Sequence, residues 1–322
     1  MRTGLKNKKL IVIIPAHNEE ASIGLVIREI PKQIEGIVKI QILIIDDGST
    51  DRTAEIAKQS GADYIVGSKV NMGLAYTFKR GLEKALDLGA DIIVNTDADF
   101  QYNQTEIPKL IRPILENRAE MVIGNRQVAK LNHMRSSKKY GNILGSFFLS
   151  LITGTDIIDA SSGFRAFSRQ AAMRFLLFSE HTYTHETIIQ AIDKNMRIVQ
   201  LPVEFKPRQH GESRLIDNIF QHIRKSLQVI LSVVLMCKPL KIFFFLGSIS
   251  FILGILIGVR YLYFYFIDGA SGHIQSLILA SILISIGIIT VVMGLLAELI
   301  NINRKIIEEI LLRLRKKGYK GK

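Results

Sequence analysis

The stretch Ile92-Ile93-Val94-Asn95-Thr96-Asp97-Ala98-Asp99-Phe100-Gln101 decides the fold. A short apolar run without polar alternation is the pattern of a strand buried on both faces, as strands in a helix-covered parallel sheet are. The run empties into two carboxylates at i and i+2, hard oxygen donors of the kind that hold Mg²⁺ or Mn²⁺. In an open α/β sheet, ligands lie outside the carboxyl ends of the strands.

Working outward from this strand, residues 10–14, 40–45, 64–66 and 121–123 repeat the same buried pattern. Residues 21–30, 53–59, 75–88 and 106–116 between them have helical periodicity. The alternation predicts a doubly wound, mostly parallel α/β sheet. The unusual residues gather at its expected carboxyl edge: Pro15-Ala16-His17-Asn18-Glu19-Glu20 after the first strand, Asp46-Asp47-Gly48-Ser49-Thr50-Asp51 after the second, and Asp97-Ala98-Asp99 after the fourth. Each has an ordinary reading alone, since Asn18, Ser49 and Asp51 suit helix N-caps and Gly48 a turn.

The 322 residues leave room for one large domain and a smaller appendage. With 48% hydrophobic and 22% charged residues, the chain is neither disordered nor wholly membrane-embedded. The one cysteine, Cys237, excludes an internal disulfide, and there is no CxxC or Cys/His cluster for zinc. The basic N-terminus precedes an apolar segment, 10–14, too short for a signal peptide, so the N-terminal domain is expected to stay in the cytosol.

The formal charge of +13 suits nucleic acid or an anionic lipid surface, and its position favours lipid. Eight of the last nineteen residues are Lys or Arg, directly after an apolar span. Residues 242–259 and 277–297 are each close to the ~20 residues that cross a bilayer, and the 268–273 connection carries no Lys or Arg. The charge bias predicts two spans with both flanks cytosolic. Residues 214–236 have an apolar stripe from Ile216 to Val234 with Arg224 and Lys225 opposite, which predicts an interfacial helix. The segment 299–314 is similarly amphipathic and is expected to pair in a homo-oligomer or lie on lipid. The expected organisation is a catalytic domain over 1–213, an interfacial segment over 214–238, a hairpin of two spans over 239–300 and a basic tail over 301–322.

In order, the edge motifs, with Gly124-Asn125-Arg126, Ser161-Ser162-Gly163-Phe164-Arg165-Ala166-Phe167 and Arg208-Gln209-His210-Gly211-Glu212-Ser213-Arg214, resemble the donor site of a family 2 glycosyltransferase of the GT-A fold. The resemblance covers roughly residues 8–230, and the last two motifs look like the branch that glycosylates polyprenyl (dolichyl or undecaprenyl) phosphates. It implies a GDP- or UDP-linked nucleotide sugar as donor and a polyprenyl phosphate lipid as acceptor at a cell membrane, with no nucleic acid partner. It further implies that Asp47 accepts a base NH while Pro15, His17, Glu19 and the backbone of Ile45 complete the nucleoside pocket. Asp97, Asp99 and Gln101 match its Mg²⁺ or Mn²⁺ set, with Ala98 between them in the donor site. Guanidinium forks suit phosphate oxygens. Arg208 and Arg214 are therefore assigned to the donor diphosphate, and Arg126 and Arg165, with Ser161 and Ser162, to the acceptor phosphate. Asp99, Arg126 and Arg165 form the expected catalytic set.

His185-Glu186 departs from the dolichyl-phosphate mannosyltransferase pattern, which carries a lysine near there, so mannose does not follow from the resemblance; Glu186 suits a helix N-terminus or a sugar contact equally. A processive polysaccharide synthase of the same fold requires a Gln-x-x-Arg-Trp motif, and this chain has no Trp. A sugar nucleotidyltransferase would place a Gly-rich basic loop after the first strand. A non-enzymatic membrane scaffold is disfavoured because every acidic and basic motif position is filled.

Overall fold

The computed structural model describes residues 8–131, 134, 136–177, 183–208, 239–268 and 274–320. The chain divides into two compact units, residues 1–231 with 311–322, and residues 232–310.

In the first unit the strands are β1 (Lys8–Ala16), β2 (Ile37–Asp46), β3 (Tyr64–Gly67), β4 (Ile92–Asn95), β5 (Met121–Asn125), β6 (Arg165–Ser168) and β7 (Ile198–Pro202). The helices are α1 (Ile23–Glu29), α2 (Thr53–Gln59), α3 (Leu74–Asp87), α4 (Ile107–Leu115), α5 (Ser136–Thr153), α6 (Arg169–Arg174) and α7 (Thr184–Asp193). They build one seven-stranded sheet in the order β3-β2-β1-β4-β6-β5-β7. All pairings are parallel except those of β6, which runs antiparallel to both β4 and β5.

The central strands β1, β4 and β5 are buried on both faces, as their unbroken Ile, Val and Leu runs require. Strand β3 is a half-buried edge strand, not the fully buried one its three apolar residues suggest. Helix α3 lies so close to the sheet that a Cβ at Gly81 would stand 2.6 Å from Ile13 and 3.1 Å from Ile45. The core between sheet and helices is aliphatic, from Leu10, Val12 and Ile14 to Ile107, Leu110 and Ile111, closed by the rings of Tyr102 and Phe164.

Strand β6 was not in the sequence reading. Because it runs opposite to β4 and β5, its first residue, Arg165, pairs with Asn95 and Ile123 at the carboxyl ends of those strands. The segment 157–164 that leads into it therefore sits at the same sheet edge as Asp97 and Arg126.

The second unit consists of α8 (Pro239–Asp268) and the part of α9 (Ile274–Lys320) up to residue 310. Both helices are long and apolar enough to cross a membrane, and both extend past the expected spans. They pack antiparallel through small residues: a Cβ on Gly247 would meet Gly287 O at 2.8 Å, and one on Gly254 would meet Ile284 N at 2.9 Å. Ser250 Oγ donates to Leu283 O at 2.9 Å, satisfying a hydroxyl that hydrocarbon cannot. The last turns of α9, from Leu311, belong to the first unit, where Arg315 donates to the carbonyls of Met173 and Phe175. The expected interfacial segment 214–236 and Arg214 lie outside the described residues.

Candidate active site

The acidic half of the site follows β4. Burial, then the charge of Asp99, pushes the Asp97 carboxyl up to about 7, with Arg126 and Arg165 drawing it down and Glu19 adding to the rise. Asp99 is raised as well, by burial first, against the opposing charge of Arg208. Arg208 spans this cluster: it is ion-paired to Glu19 Oε1 and stands 3.8 Å from Asp99 Oδ2. The Gln101 amide N donates to Asp99 Oδ1 at 3.2 Å, and its side chain reaches Lys206 O. Behind Asp97 there is room only for a glycine, because a Cβ on Gly163 would stand 2.6 Å from Asp97 Oδ1.

Two dehydrated, mutually repelling carboxylates with a third nearby form a set of hard oxygens that a divalent cation neutralises, so the residues fit Mg²⁺ or Mn²⁺. Among the described residues no group of three or more His, Cys, Asp or Glu side chains forms a complete metal cage. A cation here would be completed by the substrate's own oxygens.

Beside this half, the loops after β1 and β2 are zipped together by side chains. Asn18 N donates to Ser49 Oγ, Thr50 N to Asn18 Oδ1, and Glu19 N to Thr53 Oγ1. Asn18 and Ser49 thus join the two loops instead of capping helices, and Asn18 takes a left-handed φ of 52°. Asp51 does serve the start of α2, accepting from Thr53 N. His17 Nδ1 lies 2.9 Å from Asp47 O, with Pro15 paired to Ile45 and both buried. Asp47 is 5% exposed, and its two oxygens accept from Met72 N and Gly73 N. Its carboxylate therefore fixes the 71–73 loop at the start of α3.

The basic half sits across Gly163. Arg126 makes a fork to Asp159, with Nε to Oδ2 and Nη2 to Oδ1 each at 2.8 Å, and also donates to Ser161 Oγ at 2.7 Å. Asn142 on α5 donates to the same Asp159 Oδ1 at 3.0 Å and to Ser161 Oγ. Burial alone would raise Asp159, but the charge and hydrogen bonds of Arg126 hold it below the usual carboxylate range. The guanidinium stands over the Phe205 ring at 5.2 Å.

Arg165 corrects the sequence reading. It has no exposed surface, and it donates to Ser162 O, Thr184 O, Thr187 Oγ1 and Ala160 O. Burial lowers its pKa to about 10. With its fork spent on the chain's own oxygens, Arg165 ties the 160–163 turn to α7 and does not face an acceptor. Ser162 is likewise buried, its hydroxyl 3.3 Å from Tyr102 Oη. Of the four residues assigned to the acceptor, Arg126 and Ser161 keep some exposed surface, 11% for the Arg126 side chain. His185 and Glu186 are both buried in the first turn of α7, where Glu186 accepts from Gln190 Nε2.

Several residues that build the site were missed. Asp159 is the partner of Arg126, and its signal was available: the only acidic residues in 126–164 are Asp156 and Asp159. Tyr102 Oη accepts from Gly163 N at 3.0 Å, and burial pushes that hydroxyl up to about 12. Asn95 Nδ2 donates to Gly163 O and to Tyr183 Oη, each at 2.8 Å. These contacts clamp both sides of the Gly163 peptide.

The family model of glycosyl transferase family 2 matches residues 11–176, which is more than half of the chain. The chain belongs to glycosyl transferase family 2. The enzyme is 32% identical over 222 residues to the UDP-N-acetylglucosamine--dolichyl-phosphate N-acetylglucosaminyltransferase of Methanococcus voltae, covering 62% of this chain and 86% of that one. It is 24% identical over 221 residues to the undecaprenyl-phosphate mannosyltransferase of Micrococcus luteus, covering 66% and 89%. Among solved structures it resembles glucosyl-3-phosphoglycerate synthase from Mycobacterium tuberculosis in complex with Mn²⁺, uridine diphosphate and glucosyl-3-phosphoglycerate. The TM-score is 0.54 at 22% identity, covering 71% of this chain and 79% of that one, a likeness of fold. This glycosyltransferase thus has a GT-A-like mixed sheet with two candidate membrane-spanning helices.

Proposed function

We propose that this glycosyltransferase moves a sugar from a nucleoside-diphosphate sugar to a polyprenyl phosphate at the cytosolic face of a cell membrane. The observation that carries the reading is the pairing, across Gly163, of the Asp97/Asp99 carboxylates with the Arg126–Asp159–Ser161 cluster. The names of its dolichyl- and undecaprenyl-phosphate relatives and the two candidate spans support it.

In this reading Asp97 and Asp99, with Gln101 behind them, would hold Mg²⁺ or Mn²⁺, which would supply Lewis-acid stabilisation of charge on the leaving nucleoside diphosphate. Arg208 and Arg214 lend positive charge to the same leaving group. Pro15, His17, Glu19, Ile45 and Asp47 form the nucleoside side, and the base is guanine or uracil. Arg126 and Ser161 face the acceptor phosphate from the other side. A lipid monophosphate, with its second pKa near 6, attacks as an oxyanion without a strong general base. Positioning and leaving-group stabilisation then carry the rate, and a single displacement inverts the anomeric centre.

The test is mass spectrometry of lipid products formed by membranes holding the enzyme with a panel of GDP- and UDP-sugars. The expected product is a prenyl-phosphate-linked monosaccharide, and a polysaccharide or no lipid-linked sugar from any donor refutes the reading. Orientation is tested by cysteine labelling: Ser271→Cys is expected to react from outside the cell and Lys320→Cys only from inside.

A further inference from the structure

Helix α5 is inside out for a soluble domain. Tyr140, Ile143, Leu144, Phe147, Phe148 and Leu151 recur at the i, i+3, i+4, i+7 spacing of one helical face, and every one of them is exposed, Tyr140 by 71%, Phe147 by 59% and Leu151 by 68%. Among the described residues 8–208, seven of the eleven exposed large hydrophobic side chains belong to this face or to Ile158 beside it. Scattered exposed apolar residues need no explanation, whereas a contiguous stripe marks a surface with a partner.

The opposite face is packed, with Ser146 and Leu149 buried. Three side chains on successive turns fasten it to the segment that leads into β6. Asn142 Nδ2 donates to Asp159 Oδ1 at 3.0 Å and to Ser161 Oγ, Ser146 Oγ accepts from Ala160 N at 3.0 Å, and Ser150 Oγ accepts from Ile157 N at 2.9 Å. The helix that shows an apolar stripe to the outside therefore carries residues 157–161 on its back.

Composition selects the partner. From Arg126 to Thr155 there is no Asp or Glu, and Lys130, Arg135, Lys138 and Lys139 precede or open the helix. An apolar stripe, a cationic start and a tyrosine at the boundary are the signature of a helix lying in the headgroup region of an anionic bilayer. The same chain carries two membrane-length apolar helices, so that surface is at hand wherever the protein is.

We propose that α5 rests its Tyr140–Leu151 face in the headgroup and upper acyl region of an anionic bilayer and so presents the Ser161 segment at the lipid surface. The bilayer contact stands on the helix alone; the delivery of a prenyl phosphate to Ser161 and Arg126 rests on the function proposed above.

The test uses the full chain with Cys237→Ser in nanodiscs of phosphatidylcholine and phosphatidylglycerol. Phe147→Cys is labelled with an environment-sensitive fluorophore, and Lys58→Cys on α2 serves as an exposed control. Lipids with nitroxide on the upper acyl chain are expected to quench the Phe147 label several-fold more than the Lys58 label. Equal quenching overturns the bilayer contact, as does a labelled protein shielded from lipid nitroxide whose unlabelled Phe147→Cys form closes a disulfide dimer under oxidation, which would make a second copy the occupant. In a second arm, Leu144→Glu with Phe147→Glu is expected to lower transfer to a long-chain prenyl phosphate in nanodiscs by at least about tenfold, the scale of losing one buried large apolar side chain. Transfer to a short, water-soluble prenyl phosphate in detergent is expected to stay unchanged. Equal loss on both acceptors, or no loss on either, overturns the delivery role. Failure of the proposed function shows separately, as a wild-type enzyme that glycosylates neither acceptor while the quenching result stands.

Discussion

Replacing Gly163 with alanine adds one methyl group at the point where the two halves of the site touch. The new Cβ would stand 2.6 Å from Asp97 Oδ1, 2.8 Å from Oδ2 and 3.1 Å from Cγ, against about 3.4 Å for ordinary contact. Asp97 or the Gly163 backbone must therefore move by roughly 0.8 Å. The backbone is held on both sides, by Tyr102 Oη on its N–H and Asn95 Nδ2 on its carbonyl, so the carboxylate gives way. Overpacking of this kind costs about 1–3 kcal/mol of stability. A shift approaching 1 Å in a reacting constellation costs up to about a hundredfold in rate. The expected result is a folded protein whose kcat/KM falls ten- to a hundredfold, with a raised requirement for Mg²⁺ or Mn²⁺. Initial rates of lipid-linked product across a metal titration measure it, with circular dichroism to confirm the fold. Gly141→Ala in α5, where an added Cβ meets nothing within 4 Å, is the matched control. If Gly163→Ala retained activity and metal affinity within about twofold of the wild type, the coupling of Gly163 to Asp97 would be refuted.

Four further outcomes follow from the same geometry. Asp99→Asn should abolish transfer and EDTA should do the same to the wild type, whereas full activity in chelator would remove the metal from the reading. Asp159→Ala leaves Arg126 buried without its carboxylate and should cost about 3–5 kcal/mol in thermal unfolding, while the double change Arg126→Met with Asp159→Leu should recover most of that stability and no activity. An undiminished melting temperature in Asp159→Ala would contradict the pairing. Arg165→Ala should destabilise the whole catalytic unit, since the carbonyls of Ala160, Ser162 and Thr184 each lose a buried donor at about 1–3 kcal/mol. Arg165→Lys should not rescue it, and selective loss of acceptor affinity with an unchanged melting temperature would return Arg165 to the acceptor. The folded chain holds the Asp97 proton more tightly than an unfolded one, about 7 against 3.8, so this group's stabilisation is full below about pH 4 and is lost as pH rises through about 7. The cation-free protein should melt lower at about pH 8 than at about pH 5, with Mg²⁺ restoring more at the higher pH, and a melting temperature that does not fall over this window contradicts the assignment.

Five of the six parallel strands were legible, β1, β4 and β5 most clearly because burial on both faces leaves unbroken apolar runs, whereas the half-buried β7 was not read. Strand β6 was not, because its four residues, Arg165–Ser168, carry too little pattern to separate a strand from a phosphate-binding turn. The carboxylates of the DxD were readable from type and position together. The arginines were readable only as charges: whether a guanidinium faces a substrate or a ring of its own carbonyls depends on contacts 19 and 22 residues away, as the bonds of Arg165 to Thr184 and Thr187 show. Asn142 and Ser146 were invisible for a related reason, since a helix that turns its apolar side outward reverses the rule by which a core is located.

The antiparallel course of β6 has a consequence for how such a chain can diversify. The excursion 126–164 leaves the sheet at the end of β5 and returns at the start of β6, and both points lie on one edge in neighbouring strands. A detour anchored in this way can lengthen, shorten or exchange its helix without altering the register of any strand. The loops after β1 and β2 have no such freedom, since each is bound to the other residue by residue. On the proposed function, donor recognition would be built into the frame of the molecule, while whatever meets the second substrate would hang from it as a replaceable part.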